Sequence, residues 1–116
     1  MKYHLKKILN GKNESYIKSI YHYDRNIGKS AALARLSAKY DIPVAVPSRA
    51  WVDVIEKDIP NRLPQYFKKN KPTAIVVSDN LIQKRYKVLL MEEGMSKEQF
   101  ASVIGNGHFV GYRNYD

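Results

Sequence analysis

The chain alternates between short apolar runs and amphipathic stretches. Five runs that are rich in β-branched or aromatic residues predict strands. They cover Tyr16–Tyr23, Ile42–Pro47, Thr73–Ser78, Tyr86–Met91 and His108–Tyr112. Between them, apolar residues recur at intervals of three and four, the spacing of one helix face. The predicted helices are Ala31–Tyr40, a segment around Trp51–Ile55, a segment within Pro60–Phe67, and Ser96–Ile104.

Strands that alternate with helices are typical of a parallel sheet covered on both faces. We therefore predict an α/β, three-layer domain with a mainly parallel sheet of about four to five strands covered by helices. Thr73–Ser78 and Tyr86–Met91 have the length and apolar content of interior strands. Lys18 and Ser19 make the first strand less apolar than a central parallel strand usually is.

Local signals mark several helix boundaries. Ser96 and Gln99 have the spacing of a capping box, which predicts a helix start. Asp41 follows the last residue of one predicted helix, and Ser48 stands at the N-cap position of the next. The dipeptide Ile59-Pro60 predicts a break between two helical segments.

The chain begins with an amphipathic segment. Leu5, Ile8 and Leu9 lie at helical spacing in a lysine-rich stretch that stops at Asn10-Gly11, a sequence typical of a helix end. We predict an N-terminal amphipathic helix within residues 1–14 and a single α/β domain over residues 15–116.

The tripeptide Gly28-Lys29-Ser30 lies between a predicted strand and a predicted helix, as the phosphate-binding loop called Walker A does. Such a site needs backbone N–H groups that point into one concavity at a helix N-terminus, whose dipole attracts negative charge. Lys29 would then reach the β and γ phosphates, and the Ser30 hydroxyl would ligate Mg²⁺. The full pattern G-x-x-x-x-G-K-[ST] requires glycine where Tyr23 stands. The predicted nucleotide-binding residues are Arg25, Asn26, Ile27, Gly28, Lys29 and Ser30.

Two adjacent acids follow the fourth predicted strand. Glu92 and Glu93 come directly after the apolar run Val88–Met91, an arrangement typical of a Walker B motif. Adjacent carboxylates at the carboxyl end of a strand beside a phosphate loop can hold magnesium and polarise an attacking water. The alternative interpretation is that the two acids form a solvated turn and that Lys29 is an exposed lysine at a helix start.

Together, Arg25–Ser30 and Leu89–Glu93 resemble the motifs of P-loop NTPases of the additional-strand, catalytic-glutamate division. The chain looks most like the small ATPase cores of phage proteins such as the terminase motor domain, over roughly residues 16–112. The resemblance implies a P-loop fold that binds Mg-ATP or another nucleoside triphosphate. It assigns the metal to Ser30 and Glu92, catalysis to Glu93 and Lys29, and a γ-phosphate sensor to Asn114.

Two positions depart from the family pattern. Tyr23 replaces the first glycine of the loop, where its side chain could crowd bound phosphates. Glu92 replaces the usual aspartate, which moves the carboxylate about one methylene farther toward the metal. Either departure could abolish hydrolysis and leave the fold intact.

Composition narrows the function classes. The 116 residues are enough for one domain, and zero cysteines exclude disulfides, cysteine nucleophiles and thiolate zinc sites. No apolar run approaches the roughly 20 residues that cross a bilayer, and no secretory apolar segment follows Met1. We therefore expect a cytoplasmic protein with no membrane association, and the resemblance to phage ATPase cores implies that the cell is a bacterial host. The net charge of +9 favours anionic partners.

Two basic stretches are candidates for contact with DNA or RNA. Lysine and arginine neutralise phosphates, and Tyr86 could stack on a base. Arg85 could instead act on a neighbouring subunit as an arginine finger, and both stretches could be solvated turns. The candidate residues are Lys68, Lys69, Lys71, Lys84, Arg85 and Lys87.

Two functional hypotheses follow. The first is a small phage or mobile-element P-loop NTPase-like protein that binds Mg-ATP, with weak hydrolysis, in a process that involves DNA. The second is a non-catalytic basic protein that keeps the same scaffold and binds nucleic acid or a host or phage protein. Gly28-Lys29-Ser30 and the paired glutamates favour the first, whereas Tyr23 favours the second.

Overall fold

The computed structural model describes residues 2–9, 15–20, 27–77 and 88–114. Its five strands form one sheet in the order β1-β5-β4-β2-β3, and every neighbouring pair is parallel. The predicted α/β class and parallel sheet are therefore confirmed. The strands are β1 Tyr16–Ile20, β2 Val44–Val46, β3 Ala74–Val76, β4 Val88–Met91 and β5 His108–Asn114.

Within the described residues, five α-helices accompany the sheet. A π-helical turn, Val54–Asp58, joins the third helix to the fourth, and a 3₁₀ turn, Pro64–Tyr66, follows the fourth. The α-helices are α1 Lys2–Leu9, α2 Ile27–Tyr40, α3 Arg49–Asp53, α4 Ile59–Arg62 and α5 Lys97–Asn106. Among the described residues, no helix is both long and apolar enough to cross a membrane.

Alternation along the strands divides the core into two layers, because successive side chains of a strand point to opposite faces. On one face, residues from β2, β4 and β5 pack with Leu5 of α1, Leu33 of α2 and Ile55 of the π-helical turn. On the other, Val103 of α5 packs against the remaining strand residues. The first layer takes Val44, Val46, Val88, Leu90, Val110 and Tyr112, and the second takes Ala45, Leu89, Met91 and Phe109. The helices thus cover both faces of the sheet.

The position of one strand differs from the prediction. β4 is interior and its four residues are all buried, as its apolar content predicts. β3 is instead an edge strand, paired only with β2 among the described strands, and Val76 is 37% exposed. A run of three apolar residues is equally compatible with both places, and only the pairing decides. β1 is the other edge, which agrees with the polar Lys18 and Ser19 in its sequence.

The helical segment after β2 does not break at Ile59-Pro60, so that prediction is wrong. The Ile59 N–H donates to the Val54 carbonyl, five residues earlier, and the chain passes from the π-helical turn directly into α4. Pro60 lies in the first turn of α4, where its missing N–H is tolerated. Ser48 does precede α3 with an extended backbone, but its side chain makes no capping hydrogen bond.

The ends of α2 and α5 follow local rules. Asp41 ends α2 with a positive φ of 55°, and the Ile42 N–H returns to the Ser37 carbonyl at 3.2 Å, as in a Schellman motif. The predicted capping box of α5 is confirmed, with Ser96 and Gln99 exchanging hydrogen bonds at 2.9 and 3.1 Å. α2 starts at Ile27, four residues before the predicted start at Ala31.

Candidate functional site

The candidate site lies where α2 begins and β4 ends. In a parallel sheet all strands end at the same edge, and ligands bind at that edge. Ile27–Ser30 form the first turn of α2, whereas the sequence predicts a loop there. Tyr23, Arg25 and Asn26 lie outside the described residues.

Strand alternation turns Glu92 toward α2. Leu90, two residues earlier in β4, belongs to the core layer that contains α2, so the next residue of the same parity points to the same face. The Glu92 N–H donates to the Ala45 carbonyl at 3.0 Å and extends the pairing of β4 with β2 by one residue. The Glu92 side chain is fully buried, and Ser30 of α2 is 5% exposed.

Burial raises the pKa of the Glu92 carboxyl to about 7, because desolvation disfavours the charged form. The nearby Ser30 hydroxyl, the Glu93 N–H and the charge of Lys29 act in the opposite direction, while the charge of Glu93 raises the pKa further. The Glu93 N–H donates to Glu92 Oε1 at 3.2 Å. These contacts place Lys29, Ser30, Glu92 and Glu93 in one cluster, and the roles that the sequence assigns to them stay predictions.

The cluster contains two carboxylate oxygens that lack partners. Within the described part of the chain, Glu92 Oε2 and Glu93 Oε2 are buried and accept no hydrogen bond. The Ser30 hydroxyl is close enough to favour the charged carboxylate, yet Oε2 has no hydrogen bond of its own. Because an unsatisfied buried polar atom costs about 1 to 3 kcal/mol, native proteins keep few of them without a purpose.

The donor set fits a hard divalent cation. Mg²⁺ prefers oxygen ligands and is usually held by one or two carboxylates together with substrate phosphates. The Ser30 hydroxyl and the unpartnered Glu92 oxygen are donors of this kind. Residues 2–9, 15–20, 27–77 and 88–114 contain no group of three or more His, Asp or Glu side chains that could hold a metal ion by themselves. A cation at this site would therefore also need the phosphates as ligands.

The backbone at the start of α2 suits an anion. α2 is 14 residues long, so the dipole at its first turn favours negative charge. Gly28 is exposed and Lys29 is half-buried beside the Glu92 carboxylate. The helix start and the cation therefore lie where phosphate groups of a ligand can reach them.

Asn114 occupies the end of β5 at the same edge. It pairs in register with Ile20, the last residue of β1, and β5 lies between β1 and β4. Asn114, which the resemblance assigns as the sensor, therefore ends the strand between β1 and β4. Glu92 and Glu93 follow β4 directly. Asn114 is the last residue of β5, two residues beyond the strand end predicted at Tyr112, and its role stays a prediction.

Gln99 shapes this edge of the sheet in a way that the sequence does not predict. Gln99 donates from Nε2 to the carbonyls of Pro47 at 2.8 Å and Val77 at 2.7 Å, so α5 closes the ends of β2 and β3. Gly94, with φ of 86°, makes the turn that leads from the acids to α5. Gln99 was predicted only as a cap, and no local pattern signals its second pair of bonds.

The basic candidates separate in the structure. Lys68 and Lys69 line a groove of about 770 Å³ on the side of α2, away from its first turn. Lys71 is exposed and does not line it. Lys84, Arg85 and Lys87 lie outside the described residues, as does Tyr86.

Comparison of the chain with protein-family models, with curated proteins and with solved structures finds no match. The resemblance to P-loop NTPases therefore rests on the motif residues alone.

Proposed function

We propose that this protein binds a nucleoside triphosphate together with Mg²⁺ at the first turn of α2. One observation carries the proposal: the fully buried Glu92 carboxyl keeps an unpartnered oxygen beside Ser30 and Lys29. A buried carboxyl stabilises a fold poorly, since apolar residues fill such a position at lower cost. A bound cation would satisfy the orphaned oxygen, and a phosphate on the helix start would complete the cation's ligands.

Each residue has a distinct role in this proposal. The Gly28–Ser30 amides and Lys29 would bind the phosphates, and Ser30 and Glu92 would hold the metal. Magnesium would neutralise charge on the phosphate oxygens. Glu93 would accept a proton from the water whose oxygen bonds to the γ phosphorus, while the bond from that phosphorus to the β–γ bridging oxygen breaks. The nucleoside diphosphate and inorganic phosphate leave, which gives slow hydrolysis rather than binding alone.

The resemblance also supports a proposal about the source of this protein and the nucleotide that it binds. Small ATPase cores of the terminase type are phage proteins that act on DNA, so we place this chain in a phage or mobile element, in the cytoplasm of a bacterial host. ATP is the proposed nucleotide, by the same resemblance. This part of the proposal depends on the motifs alone.

Titration calorimetry tests the site directly. We expect a heat of binding when Mg-ATP is added to the wild type. Lys29→Ala should bind at least tenfold more weakly, because it lacks the lysine that contacts the phosphates in the complex. Lys97→Ala is the matched control, since Lys97 is also in the first turn of a helix but lies on α5. No heat in the wild type, or equal binding by Lys29→Ala, contradicts the proposal.

The metal is tested in the same instrument. Glu92→Gln removes a ligand charge and keeps the side-chain volume, so it should weaken binding of Mg-ATP more than binding of ATP with a chelator. Equal losses in both conditions would remove Glu92 from the metal site.

A further inference from the structure

The side of α2 carries a second basic feature, separate from its first turn. A groove of about 770 Å³ runs between α2, the start of α1 and the segment after α4. Its cations come from these three parts of the chain, and no acidic residue lines it among those the structure describes. The cations are Lys2, Arg35, Lys39, Lys68 and Lys69.

Two of the lysines are held close together. The neighbouring ammonium group of Lys39 lowers the pKa of Lys2, whereas Tyr40 acts in the opposite direction. Like charges at close range are unfavourable unless an anion lies between or beside them. Positive charge is therefore concentrated here, and no described residue that lines the groove supplies the counter-charge.

The groove also presents planar groups and an apolar floor. The Arg35 guanidinium lies over the Tyr66 ring, 3.9 Å from its centroid, and Tyr66 is 48% exposed. The 3₁₀ turn holds Tyr66 in place, because its N–H donates to Leu63 and the next residue, Phe67, is buried in the core. Alanine and leucine side chains of α2 line the groove beneath them.

We infer that this groove binds single-stranded nucleic acid. Cations along a groove neutralise backbone phosphates, and exposed aromatic and guanidinium planes stack on bases that are not paired. A duplex hides its base faces and would use the cations alone, and a flat lipid surface does not reach into a concave groove. The inference does not depend on nucleotide binding, since the groove and the first turn of α2 have no lining residue in common.

Fluorescence anisotropy with labelled oligo-dT and oligo-U of about 16 nucleotides tests this on the full chain. We expect the logarithm of the binding constant to fall with the logarithm of the salt concentration with a slope of about −3.5, since five cations release roughly 0.7 counterions each. A duplex of equal length should bind at least fivefold more weakly. Absence of binding at low salt, or equal binding of the duplex, overturns the inference.

Variants separate the groove from the general charge of the protein. Lys68→Gln with Lys69→Gln should weaken binding about tenfold and flatten the salt slope by about 1. Lys71→Gln and Lys97→Gln are the matched controls, one beside the groove and one on α5, and each should change affinity less than twofold. Equal losses for controls and groove variants mean a diffuse charge effect and overturn the inference.

Tyr66 tests the stacking part. Tyr66→Ala should lose about fivefold or more in affinity, and Tyr66→Phe should restore most of it, because the ring face remains. Lys29→Ala should bind the oligonucleotides like the wild type, so failure of the nucleotide site and failure of the groove are told apart. Binding of anionic phospholipid vesicles without binding of either oligonucleotide would assign the groove to membranes and overturn the inference.

Discussion

The first turn of α2 and the side of α2 use charge in opposite ways. At the first turn, one half-buried lysine meets a fully buried carboxyl that keeps an unpartnered oxygen. Along the side, five cations line a groove in which Tyr66 is 48% exposed. Burial of a charged group carries a desolvation cost that only a partner of defined geometry offsets, whereas exposed cations act through screened, additive attraction. The two proposed sites on this helix thus differ, since the first depends on geometry and the second on charge.

The buried region should be the more sensitive to packing. A Cβ atom at Gly111 would lie 2.1 Å from the Met91 carbonyl oxygen, next to the end of β4, so Gly111→Ala must separate β4 from β5. We expect a loss of about 4 kcal/mol in the free energy of unfolding, measured by urea denaturation. Gly105→Ala in α5 meets nothing within 4 Å and should be neutral or stabilising by up to about 1 kcal/mol. Equal stability of the two variants would contradict close packing at this edge.

The Glu92 carboxyl should make stability depend on pH. Its pKa is about 7 in the folded protein against an ordinary value of 4.5, so the folded state binds the proton more tightly. The free energy of unfolding should therefore fall as the pH rises from 4.5 to about 7 and stay constant above. Glu92→Gln should be more stable than the wild type at pH 8, by about 3 kcal/mol, and lose the pH dependence in this range. A pH profile of Glu92→Gln that matches the wild type would contradict the burial of the charge.

Removal of the Gln99 hydrogen bonds at the carboxyl edge of the sheet should lower the free energy of unfolding, but by a smaller amount than Gly111→Ala. Gln99→Ala leaves the carbonyls of Pro47 and Val77 without their donor and removes the capping box, so we expect a loss of about 1 to 2 kcal/mol. Gln99→Glu is the matched control, because it restores the cap but not the donor to the two carbonyls. Thermal unfolding of the three proteins should rank the wild type above Gln99→Glu and Gln99→Ala.

The groove should contribute least to folding. Lys68 and Lys69 are exposed and form no ion pair among the residues that the structure describes, so Lys68→Gln with Lys69→Gln should change the free energy of unfolding by less than about 0.5 kcal/mol. Urea denaturation at low and high salt checks this. A loss comparable to that of Gln99→Ala would mean that the groove lysines support the fold rather than a ligand.

Much of the local structure could be predicted, because it depends on neighbours in sequence. The capping box at Ser96 and the helix end at Asp41 are confirmed, since caps use residues within one turn. The break at Ile59-Pro60 was wrong, because a π-helical turn can absorb the proline without ending the helix. No local rule tells whether a helix ends before a proline that follows an amphipathic segment or continues past it through a π-helical turn.

The cluster at the first turn of α2 was partly predictable. Gly28-Lys29-Ser30 and the paired glutamates were found by their motifs, and strand alternation alone turns Glu92 toward the face that α2 covers. The depth of burial was not predictable, because it depends on the neighbours that close over the carboxyl. The groove was found only in part, since Lys68 and Lys69 form a visible cluster whereas Lys2, Arg35 and Lys39 are scattered along the sequence.

The amino-acid sequence by itself determined the alternation of strands and helices and the α/β class. It also determined which strand or helix each group of motif residues precedes or follows. Periodicity and caps are short-range properties that each segment carries alone. Only the tertiary structure decided that β3 is an edge strand, that Glu92 is fully buried and that five cations share one groove. These features depend on which distant segments pair, and pairing is set by the packing of the whole core rather than by any one segment.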